Sequence, residues 1–189
     1  MSKVLLFLAE GFEEIEALTV VDVLRRAEIV CDTCSLNEEN VIGAHGIKVF
    51  ADKTIENINA KNYDAVVIPG GMPGAENLKN SDKVVRIVKD FNDEGKVVSA
   101  ICAGPIVLGK AKVTDDKKVT SYPGYENELG KCNYLEDIAV MDDNIITSRG
   151  PATAIYFALK LVEKLKGIET VEKLKEGMLV NFLESKIKA

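Results

Sequence analysis

The 189 residues of the chain, 47% of them hydrophobic, suffice for one well-buried body and fall short of two. A formal net charge of −6 speaks against a nucleic-acid surface, which is normally basic. No apolar run approaches a membrane span, and the first ends at Ala9, too early for a signal peptide; a cytoplasmic protein with reduced, unpaired cysteines is expected, with neither nucleic acid nor membrane as partner.

In chain order, Val4 to Ala9 reads as an apolar strand ending in Glu10-Gly11-Phe12. Ile15, Leu18, Val21 and Leu24 then recur at helical spacing to about Ala27, with Glu13, Glu14 and Glu16 near the positive end of the helix dipole. Ile29 to Leu36 is a second strand, and Asn40 to Ala51 a hairpin turning at Gly43-Ala44-His45-Gly46. Asp64 to Pro69 is a third strand, stopped by Gly70-Gly71-Met72-Pro73-Gly74, after which Ser81 caps a helix to about Asn92. Lys96 to Ile101 is a β-branched run read as a buried strand; Gly104 breaks it and Pro105 opens a helix to about Ala111. Lys118 to Ser121 is a short strand, and Asp137 to Ser148 holds two more around Asp142-Asp143-Asn144. Pro151 starts a helix closed by Gly167, and a short helix over about Glu169 to Lys175 leads into an apolar tail.

Strands alternating with helices predict an α/β fold, a mostly parallel sheet between helix layers with right-handed crossovers, as one domain over residues 1–189. Sites in such sheets form beyond the carboxyl ends of the strands, near a switch in strand order. Three loops leave such ends here: after Ala9, after Pro69, and at Cys102.

Each loop brings a different chemical part. Cys102 sits on a strand-to-helix turn, where free N–H groups favour the anion, so a largely thiolate sulfur is expected at neutral pH. A serine hydrolase elbow lifts its nucleophile by the same geometry. On the turn alone, an inert buried cysteine is an equal reading. Gly70-Gly71 offers N–H groups with no side chain in the way, which suits an oxyanion and also suits an ordinary turn. Glu16, one turn into its helix, can reach inward while Glu13 and Glu14 face water; a carboxyl beside a thiolate has its pKa raised by burial and like charge. Cys31 and Cys34 form a C-x-x-C within a strand, where residues three apart point to opposite faces, so they are read as structural; Cys132 falls in a loop. No Ser/His/Asp or Cys/His order, metal cluster or phosphate-loop signature is readable, and the only histidine, His45, stands in the hairpin turn.

Four stretches, Ala9-Glu10-Gly11-Phe12-Glu13-Glu14-Ile15-Glu16, Val67-Ile68-Pro69-Gly70-Gly71, Ala100-Ile101-Cys102-Ala103-Gly104-Pro105 and Thr147-Ser148-Arg149-Gly150-Pro151, resemble in order the motifs of the ThiJ/PfpI superfamily. They are most similar to its parkinsonism-associated deglycase (glyoxalase III-like) branch, from about Lys3 to Lys166. The resemblance implies a flavodoxin-like three-layer sandwich, class I glutamine amidotransferase-like, assembled as a homodimer. It implies Cys102 as the reactive, oxidation-prone nucleophile and Glu16 as the buried acid that hydrogen-bonds the sulfur and shuttles a proton. Gly70, Gly71 and Ala103 match the backbone of the oxyanion pocket. The implied activity is that of a cofactor-free, metal-free glyoxalase or deglycase acting on methylglyoxal or its early adducts with thiols and amines. The alternative is a redox-sensing chaperone whose cysteine is oxidised to sulfinate.

Two departures qualify the match. Ala103 stands where the protease-like branch has histidine, which argues against a Cys-His peptidase. Tyr122 precedes Pro123 where the deglycase branch often has histidine, leaving the general-base role there to Tyr122, to Glu16, or to neither. His45 falls where relatives often have an arginine and is expected to reach the site across a dimer; Arg149 and His45 are the candidates for holding an anionic group at the pocket mouth.

Overall fold

In the computed structural model, which describes residues 2–187, the apolar runs become the middle of one sheet. β1 (Lys3–Leu8) leads through α1 (Glu14–Arg26) to β2 (Val30–Ser35), then to a hairpin of β3 (Asn40–Ile42) and β4 (Lys48–Phe50) and to the short β5 (Lys53–Thr54). β6 (Ala65–Ile68), α2 (Gly74–Lys79), α3 (Asp82–Asp93), β7 (Val97–Ile101) and α4 (Pro105–Lys110) follow. β8 (Lys118–Val119), β9 (Asn133–Tyr134), β10 (Ala139–Asp142) and β11 (Ile145–Ser148) precede three helices, α5 (Ala154–Lys166), α6 (Ile168–Gly177) and α7 (Val180–Ile187).

Seven strands form the sheet in the order β10-β11-β7-β6-β1-β2-β5, all parallel except the β10–β11 pair. The central strands are covered on both faces, which is why Val4 to Leu8, Ala65 to Ile68 and Val97 to Ile101 are buried without interruption. Their side chains alternate between two layers. Val4, Leu6 and Leu8 pack with residues of α1 and α5, while Leu5 and Phe7 pack with residues of α3 and α4. This is the three-layer α/β sandwich that the alternation of elements predicts. The same geometry places Cys31 in the first layer and Cys34 in the second, so the C-x-x-C pair is split across the sheet, and both thiols are free.

Several details differ from the sequence expectation. The hairpin is a separate two-stranded sheet, docked on the loop after β1 by Gly11 N–H to Ile42 O (2.8 Å) and Ala44 N–H to Phe12 O (2.8 Å). The strand near Lys118 pairs with β9 outside the main sheet. α2 was hidden behind Met72-Pro73-Gly74, which reads as a turn, and the helix at Pro151 begins with a 3-10 turn over Pro151–Thr153. The apolar tail is α7. Ser81 caps α3 as expected, its hydroxyl accepting from the Val84 N–H at 3.4 Å. Among the described residues no helix is long and apolar enough to cross a membrane.

Strand order reverses between β1 and β6, so the loops that leave their carboxyl ends diverge and open a crevice. The end of β7 borders it.

Candidate active site

Cys102 follows β7 with φ at 64°, a left-handed backbone that costs a non-glycine residue roughly 1–2 kcal/mol. Two hydrogen bonds hold it there. Its N–H donates to Ser148 O at 3.0 Å, and its carbonyl accepts from the Tyr122 N–H at 2.8 Å. Gly104 lets the chain pass directly over β6, because a Cβ there would strike the Ile68 carbonyl. The turn is thus a strained elbow, and the backbone N–H groups of Ala103 and Gly71 both donate to the sulfur.

Glu16 arrives from the first turn of α1 and is fully buried. Its Oε2 accepts from the Gly70 N–H at 2.7 Å, and its carboxyl hydrogen-bonds the Cys102 thiol. Oε1 is buried and has no hydrogen-bond partner, so it is the oxygen free to carry a proton. The glycines are needed for closeness. A Cβ on Gly70 would lie 2.7 Å from both the Cys102 Cβ and the Glu16 Oε2. Gly71 has φ at +84°, and its Cβ would overlap the backbone of Gly11, Phe12 and Glu13. The Glu13 N–H in turn donates to Gly70 O at 3.0 Å, tying the first loop to the second. The three predicted loops therefore meet at one sulfur.

Burial pushes the Glu16 carboxyl up to about 7, against the hydrogen bonds from Cys102 and Gly70 and with help from the Glu13 charge. Burial, then the charge and hydrogen bond of Glu16, push the Cys102 thiol up, against the Ala103 and Gly71 N–H groups. This corrects the expectation of a thiolate set by the turn alone. The two groups share one proton through neutrality, and the sulfur anion exists in the state where Glu16 carries that proton.

The same shift fixes a pH dependence. A carboxyl raised from 4.5 to about 7 binds its proton more tightly in the folded state, so its contribution to stability falls as pH rises through that window and is level above it. The loss is on the order of 3 kcal/mol. Thermal denaturation from pH 5 to 8 is expected to show the wild-type melting temperature falling relative to Glu16→Gln; parallel curves would refute the shift.

The remaining residues expected at the site are dispersed around it. Glu14 does not face water. It is buried, with Oε1 accepting from the His45 N–H (2.8 Å) and the Ile47 N–H (3.3 Å) and Oε2 from His45 Nδ1 (2.8 Å). Burial opposes its ionisation, but these bonds outweigh burial and hold its carboxyl below the usual value. The Glu14 hydrogen bond, then the Glu13 and Glu14 charges, raise the His45 pKa. One ligand atom from each of Glu13, Glu14 and His45 lies within 4.8 Å of the others, and the Glu14 oxygens are already taken by the hairpin. His45 is thus committed to carboxylates. Arg149 follows Ser148, and its Nη1 is buried without a hydrogen-bond partner while its charge acts on Glu126. Tyr122 lies against Gly150, whose Cβ would sit 3.4 Å from the ring, and is half exposed.

The other cysteines stand apart from this geometry. Burial pushes Cys31 and Cys34 up to about 12, and burial also raises Cys132. Replacing all three by alanine or serine is expected to leave the alkylation rate of Cys102 with iodoacetamide unchanged; a folded triple variant with altered reactivity would return the C-x-x-C pair to the chemistry.

The sequence profile of the DJ-1/PfpI family matches residues 2–164. Protein dj-1beta of Drosophila melanogaster is 39% identical over 186 residues, which is 96% of this chain and 100% of that protein. The Parkinson disease protein 7 homolog of Danio rerio is 35% identical over 183 residues, 94% and 97% of the respective lengths. Protein DJ-1 homolog B of Arabidopsis thaliana is 36% identical over 180 residues, although this chain spans only 41% of its length. Among solved structures, Drosophila melanogaster DJ-1beta superposes with a TM-score of 0.90 at 38% identity, covering 95% of this chain and 98% of that one. Toxoplasma gondii DJ-1, oxidized, superposes with a TM-score of 0.91 at 36% identity over the same shares. With Glu16, Gly71, Cys102 and Arg149 all inside the matched span, this chain belongs to the DJ-1/PfpI family.

Proposed function

We propose that the protein is a cofactor-independent glyoxalase or deglycase acting on methylglyoxal or its early adducts. The observation that carries this reading is the fully buried Glu16 carboxyl, bonded to the Gly70 N–H at 2.7 Å and to the Cys102 thiol, beside a sulfur that two backbone N–H groups also face. The pair supplies what an internal redox isomerisation needs, a nucleophile and a proton carrier poised near working pH.

The sulfur anion adds to the aldehyde carbon of methylglyoxal, forming a C–S bond while the carbonyl electrons move to oxygen. The Ala103 and Gly71 N–H groups stabilise that oxyanion, which takes a proton to give the hemithioacetal. Glu16, ionised after giving its proton, removes the hydrogen from the same carbon as a proton and returns it to the neighbouring carbon, while the hydroxyl proton on the first carbon passes to the oxygen of the second, leaving a thioester carbonyl beside a new hydroxyl. The first carbon is oxidised and the second reduced, so no external oxidant enters. Water then cleaves the resulting lactoyl thioester to lactate and free thiol. On a glycated amine or thiol, the Cys102 sulfur bonds to the carbon that carries the adduct as the bond from that carbon to the amine or thiol breaks; the leaving group takes up the Glu16 proton, and the same hemithioacetal results.

Incubating purified protein with methylglyoxal, free of metal and glutathione, tests this directly: lactate should form in wild type and not in Cys102→Ser. No lactate and no repair of an amine adduct would end the reading.

A second reading has its own support. Cys102 is partly accessible whereas Cys31 and Cys34 are buried, and the Toxoplasma gondii relative was captured oxidized. In this role Cys102 is a redox sensor, its sulfinate held by the same donors, in a chaperone rather than an enzyme. Peroxide-dependent protection of an unfolding client, lost in Cys102→Ser, would favour it.

A cytoplasmic homodimer completes the proposal. Ile15 and Leu18 of α1 and Ile47 and Phe50 of the hairpin are all exposed, on two elements joined by the Glu14–His45 bond. Sedimentation should give twice the chain mass, and Phe50→Glu should lower it.

A further inference from the structure

A second cavity, about 660 Å³ in volume, opens at the carboxyl ends of β1 and β2, between the loops that leave those strands and the junction of α2 with α3. Sheets of this kind take ligands along that edge. Neither Cys102 nor Glu16 lines the cavity, so it is distinct from the site of the sulfur. Leu8, Val41 and Ile55, all buried, give it an apolar lining, and its volume suits a small molecule or a long side chain.

The polar groups around it decide which ligand. Three carboxylates, of Glu10, Glu38 and Glu56, stand against the single ammonium of Lys83, and Lys83 is already paired with Glu56 at 3.0 Å. Glu10 Oε2 accepts from the Ile42 N–H at 3.2 Å, and among the described residues Glu38 has no hydrogen bond or ion pair, so neither charge is met by a cation. The amides add acceptors. Asn77 Nδ2 donates to Glu10 O (3.1 Å) and Asn80 Nδ2 to Glu76 Oε1 (3.3 Å), which orients both side chains and leaves each Oδ1 without a donor. What would draw an anion is answered within the protein: Lys83 by Glu56, and the start of α3 by the Ser81 hydroxyl on the Val84 N–H and by Asp82 in the first turn. The cavity is thus apolar in part, with acceptors and negative charge in surplus.

We propose that this cavity binds an aliphatic ammonium or guanidinium group, the cationic head paired with Glu10 and Glu38 and the hydrocarbon stem on Leu8, Val41 and Ile55. Two sources carry that chemistry: a free polyamine, and a lysine or arginine side chain of a polypeptide. The assignment does not depend on what Cys102 does.

Calorimetric titration of the full chain at low salt with 1,4-diaminobutane and with the blocked peptide acetyl-Ala-Lys-Ala-amide tests it. The tighter binder names the source, and absence of binding by both overturns the proposal. Butane-1,4-diol, a similar stem without charge, should not bind; inorganic phosphate that binds and competes with the amine overturns the proposal in favour of an anion site. Glu38→Gln, in an exposed loop that leaves the fold intact, is expected to weaken amine binding about fivefold, the upper scale of one exposed ion pair. Lys83→Met releases Glu56 and should tighten it by a similar factor; an anion site would answer both changes with the opposite sign. Glu136→Gln removes an exposed charge outside the cavity and should stay within about twofold of wild type. The chain's net charge of −6 attracts any cation, so equal losses in the Glu38 and Glu136 variants would mean general attraction and overturn the site.

Discussion

Glu16→Gln is expected to lower lactate formation by roughly a hundredfold to ten-thousandfold, the range for losing a positioned proton carrier. Glutamine keeps the side-chain length and an acceptor for the Gly70 N–H, so the loop contact survives and the protein remains folded. What it removes is a titratable proton from the carboxyl whose Oε1 has no hydrogen-bond partner. Addition to the aldehyde needs the sulfur and the Ala103 and Gly71 N–H groups, all still present, so the hemithioacetal should form and be visible by intact mass. Mild peroxide followed by mass spectrometry should also show an altered rate of Cys102 oxidation, because the carboxyl bonds the thiol. Lactate at the wild-type rate would remove Glu16 from the mechanism, and an unchanged oxidation rate would detach it from the sulfur.

Gly71→Ala is expected to damage both stability and chemistry, and Gly95→Ala to separate the two effects. Both glycines have positive φ, +84° and +70°, so both alanines carry left-handed strain of roughly 1–2 kcal/mol. Around Gly95 nothing lies within 4 Å, so strain is the whole cost and the Cys102 alkylation rate should be untouched. At Gly71 the new Cβ meets the backbone of three residues of the first loop, and that loop must move. Since the Gly71 N–H is one of the two donors to the sulfur, displacement should also cost about a hundredfold in turnover. Urea denaturation read beside a lactate assay distinguishes them. Equal stability losses in the two variants would mean that the loop yields without cost.

The parts of this architecture written locally were legible in the residues. β1, β6 and β7 are apolar runs bounded by glycine, and the strand-to-helix change at Cys102 is punctuated by Gly104-Pro105, so the elbow and the converging loops could be placed. What depended on distant partners could not be. Glu14 has the charge and position of a solvated helix start and is buried only because a hairpin turn some thirty positions away closes over it with three hydrogen bonds. The thiolate expectation failed for a related reason: the helix start and N–H groups are local signals, whereas burial and the Glu16 charge exist only after folding. α2 has six residues behind a Met-Pro-Gly stop, too few to show a helical face.

The hydrogen bond from Cys102 N–H to Ser148 O has a bearing on biosynthesis. The sulfur is positioned by segments that leave the ribosome at widely separated times: the first loop with Glu16, the Gly70-Gly71 turn, the elbow itself, and last β11. A nascent chain that has passed Cys102 but not Ser148 lacks the acceptor that holds the left-handed elbow, and β7 is then an unprotected sheet edge. The backbone geometry that holds the sulfur is therefore completed only when the last parallel strand docks beside β7.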